Sequence, residues 1–344
     1  MIGSASGAAY SVPSVPDSRR AIRALVRTAS LLATVFLLAS VFAAWRLSAD
    51  LSWSWRIWRS LPLLCVLGAG SYLFRFARWH VLVTRIADRL PLLVSLRIYL
   101  AGFALGLTPA RLGEFLKFAL LRDATGIAEM RSAPIFPIER ATEAASFLFL
   151  VVLGGSLGHF SIGHVNRGAI IATLLLPLLV AIVPVWRFLQ QRLQARGSVV
   201  QRRSVHDLMH GVMAVAGLRP LTLALLFAIT ARCCDALLFQ AATSALGLSI
   251  PLAGSALAYG LAGLVGGLSL LPAGAGAVEA SLVTTTVALG GSAEAAQGAA
   301  LLCRLLNMWA WVPPGLYIAI RGVAASTRVP QTAVSATPYL PAEE

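Results

Sequence analysis

TPARLGEFLKF, residues 108–118, closes an apolar run that starts near residue 92, and it carries Arg111, Glu114 and Lys117 where a helix crossing a membrane should carry no charge. A second apolar run is broken in a similar way by LPAGAGAVEASL, residues 271–282, with Pro272, Gly276 and Glu279. How these two breaks relate decides the fold.

The rest of the chain sets their context. Of 344 residues, 58% are apolar and 12% charged, and the mean hydropathy is +0.79, which excludes an ordinary soluble domain. Repeated apolar stretches of about 20 residues are long enough for a hydrocarbon core of roughly 30 Å. The reading is an all-α polytopic membrane protein. The net charge of +14 comes from 28 basic against 14 acidic residues, with Lys117 the only lysine. The arginines gather at the ends of apolar runs, as membrane topology requires. That pattern attracts anionic lipid headgroups and gives no reason to expect nucleic acid. Cys65, Cys233, Cys234 and Cys303 sit in apolar runs without a CxxC pair, so they read as small buried apolar residues and not as disulfides or zinc ligands. Gly274-Ala-Gly276 has no strand before it, which sets aside a dinucleotide loop. His206 and His210 share a helix face in a basic segment with no third ligand apparent. No cofactor and no metal site are expected.

Residues 1–18 are rich in Ser, Gly and Pro and read as a disordered tail. Arg19, Arg20, Arg23 and Arg27 precede an apolar run over about 25–45, too long for a signal peptide, so a retained first helix with a cytoplasmic N-terminus is expected. Further spanning helices are expected near 61–84, 134–158, 169–187, 219–246 and 297–320, within a membrane domain of 19–325 followed by a cytoplasmic tail, 326–344. The aromatic WSWRIW at 53–58 reads as an interfacial anchor in an outer loop, 46–60. Residues 187–219 carry six arginines and read as a cytoplasmic basic loop. The broken segments, 92–121 and 253–290, are then re-entrant hairpins that open to opposite sides. The scheme has six spans, two hairpins and both termini in the cytoplasm.

The two breaks match in order. Gly102-xxx-Gly106, Pro109, Gly113 and Glu114 are followed by Arg140, 26 residues beyond the glutamate; Gly263-xxx-Gly267, Pro272, Gly276 and Glu279 are followed by Arg304, 25 residues beyond. Upstream, Arg75 and Arg78 precede the first break as Arg232 and Asp235 precede the second. This gives an inverted repeat, about 60–160 and 219–320, a plan transporters use with a site near the midplane. An ionisable side chain costs roughly 2.5–3.5 kcal/mol at a helix centre on insertion scales, so these charges need a reason. Arg232 and Asp235, at i,i+3, are expected to pair. Glu139 and Glu143 share a face, repel, and need a cation from elsewhere, while Arg140 points roughly 100° away from Glu139. The candidate binding set is Arg111, Glu114, Glu139, Arg140, Glu279 and Arg304. Pro109, Gly113, Glu143, Arg75, Arg78, Arg232, Asp235, Pro272 and Gly276 support it, and together they are expected to line an internal polar cavity.

TPARLGEFLKFALLRD (108–123), PIERATEAASFLFLVVLG (137–154), GLSLLPAGAGAVEASL (267–282) and ALLCRLLN (300–307) together resemble the lysylphosphatidylglycerol synthase transmembrane-region family, often called flippase-like. The resemblance implies a helical bundle with re-entrant segments and, from the family's best-known member, movement of an aminoacylated phospholipid between leaflets. It also carries the candidate binding set over by position. That member has a soluble aminoacyl-transfer domain after its membrane region; here about 24 residues follow the last expected helix, so a stand-alone member is expected. The expected partner is a membrane lipid, either an anionic phospholipid or a polyprenyl (isoprenoid) lipid, in a bacterial inner membrane. Two other readings stay open: an intramembrane enzyme acting on polyprenyl phosphates, and a non-transporting partner that docks a lipid-modifying enzyme through 187–219.

Overall fold

A computed structural model describes residues 55–106, 114–158, 199–269 and 271–325, with six further positions between 27 and 38. The expected helix at 169–187, most of that at 25–45, and Pro109, Arg111 and Gly113 lie outside the described residues. Those described are helical, with no strand among them.

Two helices form the centre. α1 (Trp55–Val83) buries Leu64, Gly68, Tyr72, Arg75, Trp79 and Leu82, a set spaced by three or four that makes one inward face. α7 (Leu218–Ala245) answers with Ala224, Ala228, Ala231, Asp235, Phe239 and Ala242, mostly small side chains that let the backbones approach. The two pack along their length, and both are long and apolar enough to cross a membrane. α1 starts at Trp55, so the aromatic stretch belongs mostly to a helix and not to an outer loop; Trp55 and Trp58 stay exposed on it.

The first broken segment becomes α2 (Leu92–Leu105) and α3 (Leu116–Thr125), followed by the single turn α4 (Glu129–Ser132) and the long α5 (Ile135–Leu157). The second becomes α8 (Leu252–Leu268) and α9 (Ala277–Ala288), then α10 (Ala293–Asn307) and α11 (Val312–Ala325). The apolar run 297–320 is therefore two helices and not one span. Met308 leaves helical geometry (φ −131°, ψ −61°), and Pro313 and Pro314 lack the amide hydrogens that would carry the helix back through this point. In the first turn of α11 they are tolerated. A short 3₁₀ turn, Trp309–Trp311, joins the two pieces, and Trp311 stacks on Tyr72 at 4.2 Å.

The basic stretch 187–219 also holds a helix, α6 (Val199–Val215), which packs on α4. His206 and His210 meet on its exposed side with their Nε2 atoms 3.1 Å apart. All four cysteines are free; Cys303 is buried as expected, but Cys65 faces outward on α1.

Close helix contacts rest on glycines outside the two GxxxG motifs as well as within them. A Cβ at Gly154 of α5 would stand 2.5 Å from the Ala253 carbonyl oxygen of α8, and one at Gly315 of α11 would stand 2.3 Å from the Leu100 carbonyl oxygen of α2. The two larger apolar clusters among the described residues lie around Tyr72, Trp79, Tyr99 and Phe118, and around Leu150, Phe239, Leu282 and Cys303. On α5 and α7 the charged residues fall between the parts given to each cluster. Gly154→Val should lower the detergent melting temperature, since overpacking against a backbone costs about 1–3 kcal/mol. The same change at Gly267, where a Cβ meets nothing within 4 Å, should leave it nearly unchanged.

Candidate functional site

Asp235, fully buried on α7, is the node of the internal charges. Its Oδ2 accepts from Arg75 of α1 at 2.7 Å and from Arg232, one turn back on α7, at 2.8 Å. The pairing expected within α7 is present, and a cation from α1 joins it. Asn307, the last residue of α10, points its amide at Asp235 Oδ1 (3.4 Å) and donates to the Tyr259 hydroxyl at 2.7 Å.

From Arg232 the charges alternate outward. Arg232 lies 3.5 Å from Glu143 of α5, Glu143 pairs with Arg140 at 2.7 Å, and Arg140 lies 3.3 Å from Glu114, a contact of charges without hydrogen-bond alignment. Thus Glu143 finds its cations on α7 and on its own helix. Glu139, expected to face the same way, turns to Lys117 of α3 at 2.6 Å. Both members of that pair are almost wholly buried, and the Lys117 ammonium also lies 4.7 Å from the centre of the Trp79 ring, a cation–π contact. The lysine stem reaches this place by running past Gly102, where a Cβ would lie 2.0 Å from its Cγ. Glycine at 102 is what lets the side chain through.

The second break is built differently. Ala273 takes a left-handed conformation (φ 52°, ψ 19°), which costs an alanine roughly 1 kcal/mol, and its carbonyl accepts from Arg304 Nη2 at 2.8 Å. Gly276, at φ 83°, turns the chain into α9. Glu279 then accepts the Gly276 amide at 2.7 Å through one oxygen and Arg304 Nε at 2.8 Å through the other. One carboxylate therefore sits at the positive end of α9 and also holds the arginine of α10.

Both glutamate–arginine pairs matched by spacing in the sequence, Glu114 with Arg140 and Glu279 with Arg304, are ion pairs in the structure. Between them opens a cavity of about 120 Å³. That is room for several waters or a small polar group. Arg75, Arg78, Arg140, Arg232 and Arg304 face it, with Glu114 and Glu143. Aromatic rings of Tyr99, Phe103, Phe147 and Tyr259 complete the wall. Glu139, Asp235, Glu279, Pro272 and Gly276, expected in the wall, are not part of this lining. Lys117, Tyr99, Tyr259 and Asn307 were absent from the candidate set. Lys117 had a signal, as the only lysine of the chain set in an apolar context; the uncharged three had none.

Two long apolar helices, two shorter broken pairs and a charged interior define a helical membrane protein. The chain belongs to the lysylphosphatidylglycerol synthase transmembrane-region family, whose profile matches residues 21–315. No curated protein matches it.

Asp235→Asn should leave two buried guanidiniums with one carboxylate between them, the more distant Glu143. Breaking a buried ion pair in this way costs about 3–5 kcal/mol, so a large fall in melting temperature is expected. Arg122→Gln, which removes the exposed contacts to Asp123 and Glu129, should shift it little.

Proposed function

We propose that this chain moves a lipid headgroup between the leaflets of a bacterial inner membrane, with both termini in the cytoplasm. The observation that carries the reading is the cavity, since a space ringed by five arginines inside an apolar protein fits an anionic headgroup whose acyl or isoprenoid chains stay in the membrane. The substrate would be a phospholipid or a polyprenyl-linked lipid. Family membership supports the lipid part of the reading.

The transport part draws on the paired design. Helix α1, the pair α2/α3 and α5 correspond to α7, the pair α8/α9 and the split helix α10/α11. The equivalent helices α1 and α7 pack on each other. The first arm of each pair meets the last helix of the other half: α8 on α5, and α2 on α11. Such an arrangement supports an inverted repeat in which α2/α3 and α8/α9 are re-entrant and open on opposite faces in turn. In this reading Glu114, Glu139 and Glu279 fix their cations, and Arg140 and Arg304 shape the passage. No ATP-binding motif is present in the sequence, so movement would be passive or ion-coupled.

Proteoliposomes loaded with fluorescent phosphatidylglycerol or a polyprenyl-phosphate probe test this. The wild-type chain should move at least one probe, and Glu279→Gln, which keeps the cap acceptor but removes the charge holding Arg304, should slow it by about tenfold or more, a loss of roughly 1.4 kcal/mol. Equal rates from both folded proteins would sink the assignment. Chemical conversion of the polyprenyl probe, in place of movement, would turn it toward the enzyme reading.

A further inference from the structure

Five guanidiniums face the cavity, and four of them are held by carboxylates of the protein. Asp235 holds Arg75 and Arg232, Glu143 and Glu114 hold Arg140, and Glu279 holds Arg304. Arg78 differs. It is 3% exposed, and among the described residues no carboxylate lies within salt-bridge distance of it. Its Nη1 has only two long contacts, to the Glu139 carbonyl oxygen at 3.3 Å and to Thr142 Oγ1 at 3.5 Å. Its Nε is buried without a partner, and no hydrogen bond runs from its Nη2 to a described residue. The Nε atoms of Arg75, Arg140 and Arg232 lack partners as well, but the charge of each is met elsewhere on its guanidinium.

A buried cation without a counter-ion is unstable by several kcal/mol, and what removes the instability is an anion. The two unused donors, Nε and Nη2, lie on one edge of the planar group. That edge is the fork that takes two oxygens of a phosphate side by side. A phosphodiester has two unesterified oxygens and a single negative charge, and Arg78 has one edge of unused donors and a single unmatched positive charge.

We propose that Arg78 is the phosphate-binding residue of the cavity, its Nε–Nη2 edge taking the two free oxygens of a lipid phosphodiester while the paired arginines hold the walls apart. The assignment rests on the lipid reading above, and it shifts the phosphate contact away from Arg140 and Arg304, whose charges are already matched. It also sets the ligand class: a membrane lipid bound through a phosphodiester, with neutral lipids excluded.

The test uses the full chain in detergent micelles, with melting temperature read against added dioleoylphosphatidylglycerol, diacylglycerol or inorganic phosphate. Phosphatidylglycerol should stabilise the protein and diacylglycerol should not. Arg78→Lys keeps the charge but loses the fork, and it should need about tenfold more phosphatidylglycerol for the same shift. An unchanged requirement, equal stabilisation by diacylglycerol, or stabilisation by inorganic phosphate alone would overturn the proposal. Should Arg78→Lys not fold, Thr142→Asp decides, because it sets a carboxylate beside Nη1. If Arg78 awaits an anion, that variant should melt higher without lipid and respond about tenfold more weakly to phosphatidylglycerol; a lower melting point with an unchanged response overturns it. Wild-type transport is measured in parallel. Binding that depends on Arg78 without any lipid movement would leave this site standing and remove the transport reading, and movement with binding indifferent to Arg78 would do the reverse.

Discussion

The carboxylate of Asp235 is the constraint on which the interior depends. A charge with no access to water must meet an opposite charge or hydrogen bonds directed at it, and Asp235 meets two guanidiniums from two helices at once. That fixes how far α1 and α7 can slide or turn against each other. Arg232, held from one side by Asp235, reaches Glu143 on the other, and through Glu143 and Arg140 the constraint passes to Glu114 at the end of the first break. Each side chain in the series limits the position of the next. Buried ion pairs are weak contributors to net stability compared with apolar packing of the same volume. Their presence here is better understood as setting geometry around a cavity than as holding the bundle together, which the alanine and glycine contacts of α1, α5, α7 and α8 do.

The two breaks solve one problem with different chemistry. Any interruption of a helix inside the protein frees backbone groups that need new partners. At the second break, Arg304 takes the Ala273 carbonyl and Glu279 takes the Gly276 amide, so the ion pair whose arginine faces the cavity also satisfies the loop. At the first, Lys117 crosses between the arms of the pair to reach Glu139, and the space it needs is left by Gly102. In one half a strained alanine shapes the site, and in the other a missing side chain does.

Much of this was legible in the sequence where the signal is local. The extents of α5 and α7 follow from apolar length, and the two breaks from their prolines and glycines. Glu114–Arg140 and Glu279–Arg304 could be matched because an internal repeat gives each pair a second copy to be compared with. What escaped depends on tertiary contact. Arg75 and Asp235 are 160 positions apart, and no periodicity within either helix announces the other. Lys117 and Glu139 could be seen as unusual charges but not as a pair. The split of 297–320 was hidden because Trp309, Trp311 and Val312 keep the run apolar through the break, and hydropathy does not register backbone direction. Helix α6 was marked within the basic stretch by His206 and His210, whose i,i+4 spacing sets them on one helix face.

The buried lysine has a practical side. Because Lys117 is the only lysine in the chain and is 3% exposed, the protein offers reagents that acylate amines almost nothing but its own terminus. Its ammonium is enclosed by Trp79 of α1, Tyr99 of α2 and Glu139 of α5, so a reagent reaches it when that enclosure loosens. The chain therefore carries a built-in chemical reporter of that movement, one that requires no engineered cysteine and no added dye site. The rate at which Lys117 becomes labelled in a membrane would time the loosening of that enclosure.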